Sequence, residues 1–249
     1  MKPSYLELGS GERIPILYED RSVIAIDKPV GWMLVPTTWQ RTQRNLQTAI
    51  VSSIAAGQFW ARSRGLKFLR YIHRLDAETT GVLLFGKTPG AVRSYGELFE
   101  SRDMEKKYLA VIEGEPAQSE WVCRESIAEQ TSSPKRMKID PRHGKPAETH
   151  FKVLGQSAGR FLIEARPVTG RTHQIRVHLA HTAAPVLGDA LYGKAKRDPA
   201  LAGLALRSIL LAYRDPFTRR EISIKAPVDE FLKMYKLSAH ETGFNEWKK

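Results

Sequence analysis

Short apolar runs at IPILYED (Ile14–Asp20) and SVIAID (Ser22–Asp27) predict two strands, and the KPVGW that follows supplies the Pro and Gly of a turn. In NLQTAIVSSIAAG (Asn45–Gly57) the period changes, because Leu46, Ala49, Ile50 and Ile54 recur at helical spacing and a glycine stands at the stop. FLRYI (Phe68–Ile72) and VLLF (Val82–Phe85) return to the look of buried strands, with the polar HRLDAETTG (His73–Gly81) between them. Thr88 and Pro89 predict an N-cap and a first-turn proline for a helix carrying Val92, Tyr95 and Phe99.

The second half continues in the same manner. KKYLAVIEG (Lys106–Gly114) is a strand, Ser132–Lys145 is a loop-rich basic segment, and THFKVLG (Thr149–Gly155) and RFLIEAR (Arg160–Arg166) are two more strands. THQIRVHLAHT (Thr172–Thr182) is predicted helical, while SILLAY (Ser208–Tyr213) and EISIKA (Glu221–Ala226) are strands. PVDEFLKMYKL closes the pattern with Val228, Phe231, Leu232 and Tyr235 on one helical face. Strands outnumber helices and follow one another like hairpins, without βαβ alternation. The expected class is α+β, with a mixed, largely antiparallel central sheet flanked by helices and loops. No repeat, low-complexity tract or long linker interrupts the chain, so a single domain is expected over residues 1–249, its core from about 14 to 237.

Charge sharpens this picture. The 39 Lys and Arg against 27 Asp and Glu leave a net charge of +12, which points to a polyanionic partner. Nucleic acid is favoured over an acidic membrane surface, because the basic clusters lie in polar, Pro- and Gly-bearing segments instead of on an amphipathic helix. Cys123 is the sole cysteine, which excludes an intramolecular disulfide and argues against a cysteine-built zinc site. No apolar run approaches the ~20 residues needed to span a bilayer, and MKPSYLELGSGERIP has no signal-peptide core. A soluble protein of the reducing cytoplasm is expected.

Three segments concentrate candidate chemistry. Asp76, between two strand-like runs, can cap backbone N–H groups in an Asx-turn. With His73 and Arg74 crowded beside it, it can instead stay ionised and act as nucleophile or base. In GRTHQIRVHLA (Gly170–Ala180), Arg171 and Arg176 either lie in water on a basic helix, or one binds phosphate near the helix start while the other pairs with a buried carboxylate. SPKRMKIDPRHGK (Ser133–Lys145) sets Lys135, Arg136, Lys138, Arg142 and Lys145 against Asp140 alone, a pattern for tracking an RNA backbone with salt-dependent affinity. RSRGLKFLR (Arg62–Arg70) is a weaker case of the same kind. GDALYGKA (Gly188–Ala195) has the glycine-to-GK spacing of a phosphate loop, but Ala195 stands where the magnesium-binding hydroxyl belongs. His173, His178 and His181 lack metal-ligand spacing and an acidic partner, so they read as structural or RNA-contacting.

HRLDAETTG resembles the HRLDxxTSG signature of the RluA-type pseudouridine synthases. VIAIDKPVGWMLVP, KKYLAVIEG, GKPAETHFKVL, PVTGRTHQIRVHLA and PVLGDALYG resemble further blocks of that family, in its order, from about Ile16 to Pro227. The resemblance implies isomerisation of uridine to pseudouridine within RNA, with no metal and no organic cofactor. It implies that Asp76 is the catalytic aspartate, attacking the ribose anomeric carbon or removing a neighbouring ribose proton. It further implies that Tyr108 stacks on the target base and assists proton removal, and that Arg176 pairs with the aspartate. Arg74 and Thr80 of the signature, together with Arg171, His173, Lys135, Arg136 and Lys138, are the expected RNA contacts. Arg74 would enter the RNA and help hold a flipped nucleotide, since chemistry at a stacked base requires extrusion.

Two positions depart from the pattern. Thr80 replaces the usual serine and keeps its hydroxyl; Arg207 stands where the family's late block carries histidine, which puts local packing or RNA fit in question. No extra RNA-binding domain is expected ahead of the first strand, so the catalytic domain must grip the RNA itself. The implied partner is a tRNA or rRNA stem-loop, met by a monomer with no obligatory protein partner and no membrane association.

Overall fold

The computed structural model describes residues 1–34, 44–131, 136–193 and 203–237. In chain order its elements are β1 (Tyr5–Glu7), β2 (Arg13–Glu19), β3 (Val23–Lys28), α1 (Leu46–Ala55), α2 (Phe59–Arg62), β4 (Arg70–Tyr71), β5 (Thr80–Gly86) and α3 (Pro89–Glu100). Then follow β6 (Glu105–Glu113), β7 (Glu120–Cys123), β8 (Ile127–Gln130), β9 (Arg136–Ile139), β10 (Thr149–Ser157), β11 (Arg160–Pro167) and α4 (Gln174–Thr182). Strands β12 (Leu206–Arg214) and β13 (Glu221–Lys225) and helix α5 (Asp229–Met234) complete them. The chain divides into two compact units, Met1–Met104 with Leu210–Ala226, and Glu105–Ile209 with Pro227–Lys249.

In the first unit the strands run in the order β1-β2-β3-β5-β12, with β4 on β5 and β13 on β12. The pairs β1–β2, β2–β3, β3–β5, β4–β5 and β12–β13 are antiparallel. Val23–Ile26 and Val82–Phe85 are buried at every position, which is why these strands read as continuous apolar runs without alternation. Helix α3 starts where Thr88 Oγ1 accepts from the Ala91 N–H at 3.1 Å, with Pro89 in its first turn. It lays Ala91 and Tyr95 on a core of Val23, Ala25, Val82, Leu84, Leu211 and Ile224. Helix α1 is capped likewise, Asn45 Oδ1 accepting from the Thr48 N–H at 2.9 Å.

In the second unit the order is β6-β11-β10-β7, and β8 and β9 form a separate ribbon. Pairs β6–β11, β11–β10, β10–β7 and β8–β9 are antiparallel. The expected α+β class with largely antiparallel sheets is the one observed. Among the described residues no helix is long and apolar enough to cross a membrane.

The local differences have physical causes. The basic segment expected as loop contains β9, whose Met137 and Ile139 face a small core of Ile127, Ala147 and Val177 while Arg136 and Lys138 stay in water. Of FLRYI only Arg70 and Tyr71 pair as strand. Helix α4 begins at Gln174 instead of Thr172, because His173 adopts a left-handed φ of 55° that a helix does not continue through. Strands β1 and β7 and helix α2 were not expected, being short and only partly apolar.

Candidate active site

Asp76 heads a tight turn, closed where its carbonyl accepts from the Thr79 N–H at 3.1 Å. Both approaches to the turn are fixed. On the incoming side the Ile72 N–H donates to the Leu84 carbonyl at 2.9 Å, and His73 Nε2 accepts from the Leu84 N–H at 3.1 Å. The His73 ring stacks on Phe99, centroids 4.6 Å apart, so this histidine braces the turn. On the outgoing side Gly81 has φ 104°, a conformation that explains why the signature ends in glycine. Asp76 is half-buried; Arg74 and Glu78 are exposed.

Lys28, the last residue of β3, is fully buried and donates from Nζ to the carbonyls of Pro29 at 3.0 Å, Ala77 at 2.8 Å and Thr79 at 2.8 Å. An ammonium carries three protons, and each finds an acceptor. The Gly31 N–H also donates to the Ala77 carbonyl, at 2.8 Å, so KPVG wraps the turn that presents Asp76. Burial pushes the Lys28 pKa down to about 7, while the negative charges of Asp76 and Glu78 act in the opposite direction. Desolvating an ammonium costs several kcal/mol, so the three carbonyls and the nearby carboxylates are what make this position tolerable. Lys28 is not singled out by the sequence pattern; the available signal is a lysine ending a strand whose first four residues are apolar.

In the second unit Arg176 lies on the first turn of α4, and its buried guanidinium forms a fork on Asp189, Nε to Oδ2 at 2.7 Å and Nη2 to Oδ1 at 2.8 Å. Asp189 Oδ1 also accepts from the Leu191 and Tyr192 N–H groups at 2.9 and 3.1 Å. Burial raises the Asp189 pKa, but the Arg176 bonds and charge and these backbone bonds outweigh it and hold the carboxyl below its ordinary range. Of the readings open for the two arginines, Arg176 has the buried carboxylate. GDALYG is thus an arginine-holding turn and not a phosphate cradle; Lys194 and Ala195 lie outside the described residues. Gly188 sets up this turn at φ 76°, where a Cβ would come within 2.0 Å of the Gly203 carbonyl oxygen.

Arg171 precedes α4. Its N–H donates to Gln174 Oε1 at 2.9 Å and its Nε to the Pro146 carbonyl at 3.0 Å, beside the exposed Lys145. Gln174 is buried and also accepts from Thr169 Oγ1 at 2.7 Å, and donates to the Glu148 carbonyl and Thr149 Oγ1, both at 2.9 Å. It therefore pins the loop that carries Arg171. His178 is enclosed between Thr149 Oγ1 and the Glu125 carbonyl, each at 3.0 Å, and burial pushes its pKa down, which makes it structural. Among the described residues no group of three or more His, Cys, Asp and Glu could hold a metal.

Tyr108 is buried on β6 opposite Ala165, and Thr80 is the half-buried first residue of β5. Arg136 and Lys138 are exposed on β9; Lys135 lies outside the described residues. His173 pairs through Nδ1 with the Tyr192 hydroxyl at 2.8 Å. Arg207 is buried, and its Nε donates to the Pro227 carbonyl at 2.9 Å, so here an arginine fastens the end of β12.

Residues 22–181 match the family described as RNA pseudouridylate synthase. The chain is 35% identical over 226 residues to ribosomal large subunit pseudouridine synthase C of Escherichia coli (strain K12), covering 88% of this chain and 67% of that one. It is 31% identical to the enzyme of the same name from Buchnera aphidicola, over 88% of this chain and 69% of the other. The structure of human RNA Pseudouridylate Synthase Domain Containing 1 superposes with a TM-score of 0.69 at 26% identity, covering 92% of this chain and 89% of its own.

The Arg176–Asp189 fork dictates a pH-dependent stability. Asp189→Asn removes the carboxylate that this buried guanidinium grips through two nitrogens and is expected to cost about 3–5 kcal/mol of unfolding free energy at pH 7. Because the folded pKa lies below the unfolded one, this contribution is fully present above about pH 4 and is lost as pH falls through the lowered folded value. Urea titrations of both proteins from pH 7 downward measure it. A difference below 1 kcal/mol at pH 7, or one that grows on acidification, contradicts the assignment.

Proposed function

The chain belongs to the RNA pseudouridylate synthase family and is an RNA-modifying isomerase, and on that premise we propose that it converts uridine to pseudouridine in large-subunit ribosomal RNA with Asp76 as the catalytic carboxylate. The observation that carries the assignment to Asp76 is the turn itself. A half-buried carboxylate is presented on backbone that Lys28 holds from beneath by two of its carbonyls. Such preorganisation keeps a reacting group aimed without reorganisation at the moment of reaction.

The catalytic sequence follows the resemblance. Asp76 attacks the ribose anomeric carbon or takes a neighbouring ribose proton, the glycosidic C–N bond breaks, and the freed uracil rotates. A bond from the ring carbon to the anomeric carbon then forms as the Asp76–ribose bond breaks or, on the other route, as the ribose regains its proton; the proton on the ring carbon leaves while the freed ring nitrogen takes one up. Tyr108 is proposed to stack on that base and assist the proton's departure, with Arg176 as the cation of the catalytic set. Arg74, exposed beside the turn, suits entry into the RNA. The ribosomal target rests on the names of the two bacterial relatives, whose large-subunit RNA substrate is more specific than the tRNA or rRNA stem-loop expected from sequence. Exposed Arg136, Lys138, Arg142 and Lys145 supply the backbone contacts. The buried, unpaired Cys123 suits a reducing cytoplasm, where the protein is proposed to act as a monomer.

Asp76→Asn tests the catalytic assignment. Tritium release from ring-labelled uridine in large-subunit RNA should fall by at least about a thousandfold with RNA affinity retained, since a reacting group is removed and the groups that grip RNA stay in place; undiminished release contradicts it. A wild-type protein that binds this RNA yet forms no pseudouridine points instead to a silent binding protein.

Charge reversal of Arg136 and Lys138 tests the RNA contacts. It should weaken binding about tenfold at moderate salt and flatten the log–log salt dependence by about one for each phosphate no longer neutralised, with turnover at saturating enzyme nearly unchanged. Unchanged affinity and slope remove the ribbon from the RNA interface.

A further inference from the structure

Tyr192 joins three parts of the second unit. Its ring lies beneath the Arg176 guanidinium, with Cζ 5.2 Å from the ring centroid. Its hydroxyl accepts from the Met137 N–H of β9 at 2.9 Å and pairs with His173 Nδ1 at 2.8 Å, the two rings standing edge to face at 5.7 Å. Its own N–H is anchored on Asp189 Oδ1, the oxygen that also receives Arg176 Nη2.

These contacts divide the work of aiming Arg176. The fork on Asp189 fixes the guanidinium through two nitrogens, and its carbon lies over the ring of Tyr192. The ribbon β8–β9, for its part, has a small core. Two strands alone are marginal in water, and this pair packs through Ile127, Met137 and Ile139 with Ala147, Val177 and Tyr192. Besides the pairing with β8, the Tyr192 hydroxyl accepts from the backbone of β9 between the exposed Arg136 and Lys138. His173 adds an independent sign of constraint, since it is held at φ 55°, rarely adopted by residues other than glycine, while its ring is engaged by the same hydroxyl.

We propose that Tyr192 is a positioning residue that ties the basic β8–β9 ribbon to the Arg176 guanidinium, so that the seating of an RNA backbone on the ribbon and the orientation of the arginine are set together. The proposal rests on the reading of Arg176 as catalytic and of the ribbon as an RNA contact. Its two limbs separate chemically. Tyr192→Phe removes the hydroxyl that holds β9 and His173 but keeps the ring under Arg176. Tyr192→Leu removes both.

The experiment measures RNA affinity and the single-turnover rate of pseudouridine formation at saturating enzyme, on ring-tritiated large-subunit RNA transcribed in vitro. Tyr192→Phe should weaken RNA binding about fivefold with a rate within about twofold of wild type, while Tyr192→Leu should lose at least a further tenfold in rate. In an Arg176→Lys background, where fork and stacked face are already altered, the rate step from Phe to Leu should vanish. A wild-type rate for Tyr192→Leu overturns the proposal, as do equal rate losses in the two variants that follow their thermal stability. Should Tyr192→Leu not fold, wild-type affinity of Tyr192→Phe overturns it alone. The function itself is tested separately: loss of turnover in Asp76→Asn with a wild-type rate in Tyr192→Leu sinks only the coupling, whereas full turnover in Asp76→Asn sinks the reading on which it rests.

Discussion

A single buried ammonium holds the turn that presents Asp76. Lys28 has no exposure to water, and all three of its protons are used on the carbonyls of Pro29, Ala77 and Thr79. Two of these belong to the turn after Asp76, so the carboxylate is presented by backbone that is tied to the end of β3. A lysine so placed would be unstable without partners, and the turn would be loose without the lysine. The requirement is mutual, which makes the HRLD-type turn and the KPVG segment one device written in two places along the chain.

The second unit solves a related problem with opposite polarity. There the buried carboxylate of Asp189 is the hub, receiving Arg176 through two nitrogens and two N–H groups of its own turn. Gly188 permits the turn to pass under the Gly203 carbonyl. In both units a charge is taken out of water and its hydrogen bonds are directed to fixing geometry. Replacement by an apolar pair can be equally stable, so the value of such an arrangement lies in the fixed orientation it imposes on the functional group.

Much of the fold was legible because its strands are either continuous apolar runs or bounded by clear stops. Val23–Ile26, Val82–Phe85 and the centre of β6 are covered on both faces, and Thr88-Pro89 announces α3 in its own chemistry. Strand β9 was hidden because Arg136 and Lys138 dominate a four-residue segment whose Met137 and Ile139 carry the alternation. The site divides along the same line. Asp76, Tyr108 and Arg176 were nameable from motif resemblance, as local words. Lys28 and Asp189 were not, because their roles are long-range: Lys28 meets Ala77 across 49 residues, and Asp189 meets Arg176 from within GDALYGK, whose spacing imitates a phosphate loop. The family histidine replaced by Arg207 also finds a physical answer only in three dimensions, in the bond to Pro227 that lies 20 residues ahead.

If Lys28 aims Asp76 for uridine isomerisation in RNA, the modification itself must depend on a residue that never touches the base. Mapping pseudouridine across total RNA in cells lacking the protein, complemented at equal protein level with wild type or with Lys28→Met, tests this most directly. At least one large-subunit uridine should be modified with wild type and left unmodified, or nearly so, with Lys28→Met. Full modification by Lys28→Met, or an RNA map that does not change with the protein, would contradict it.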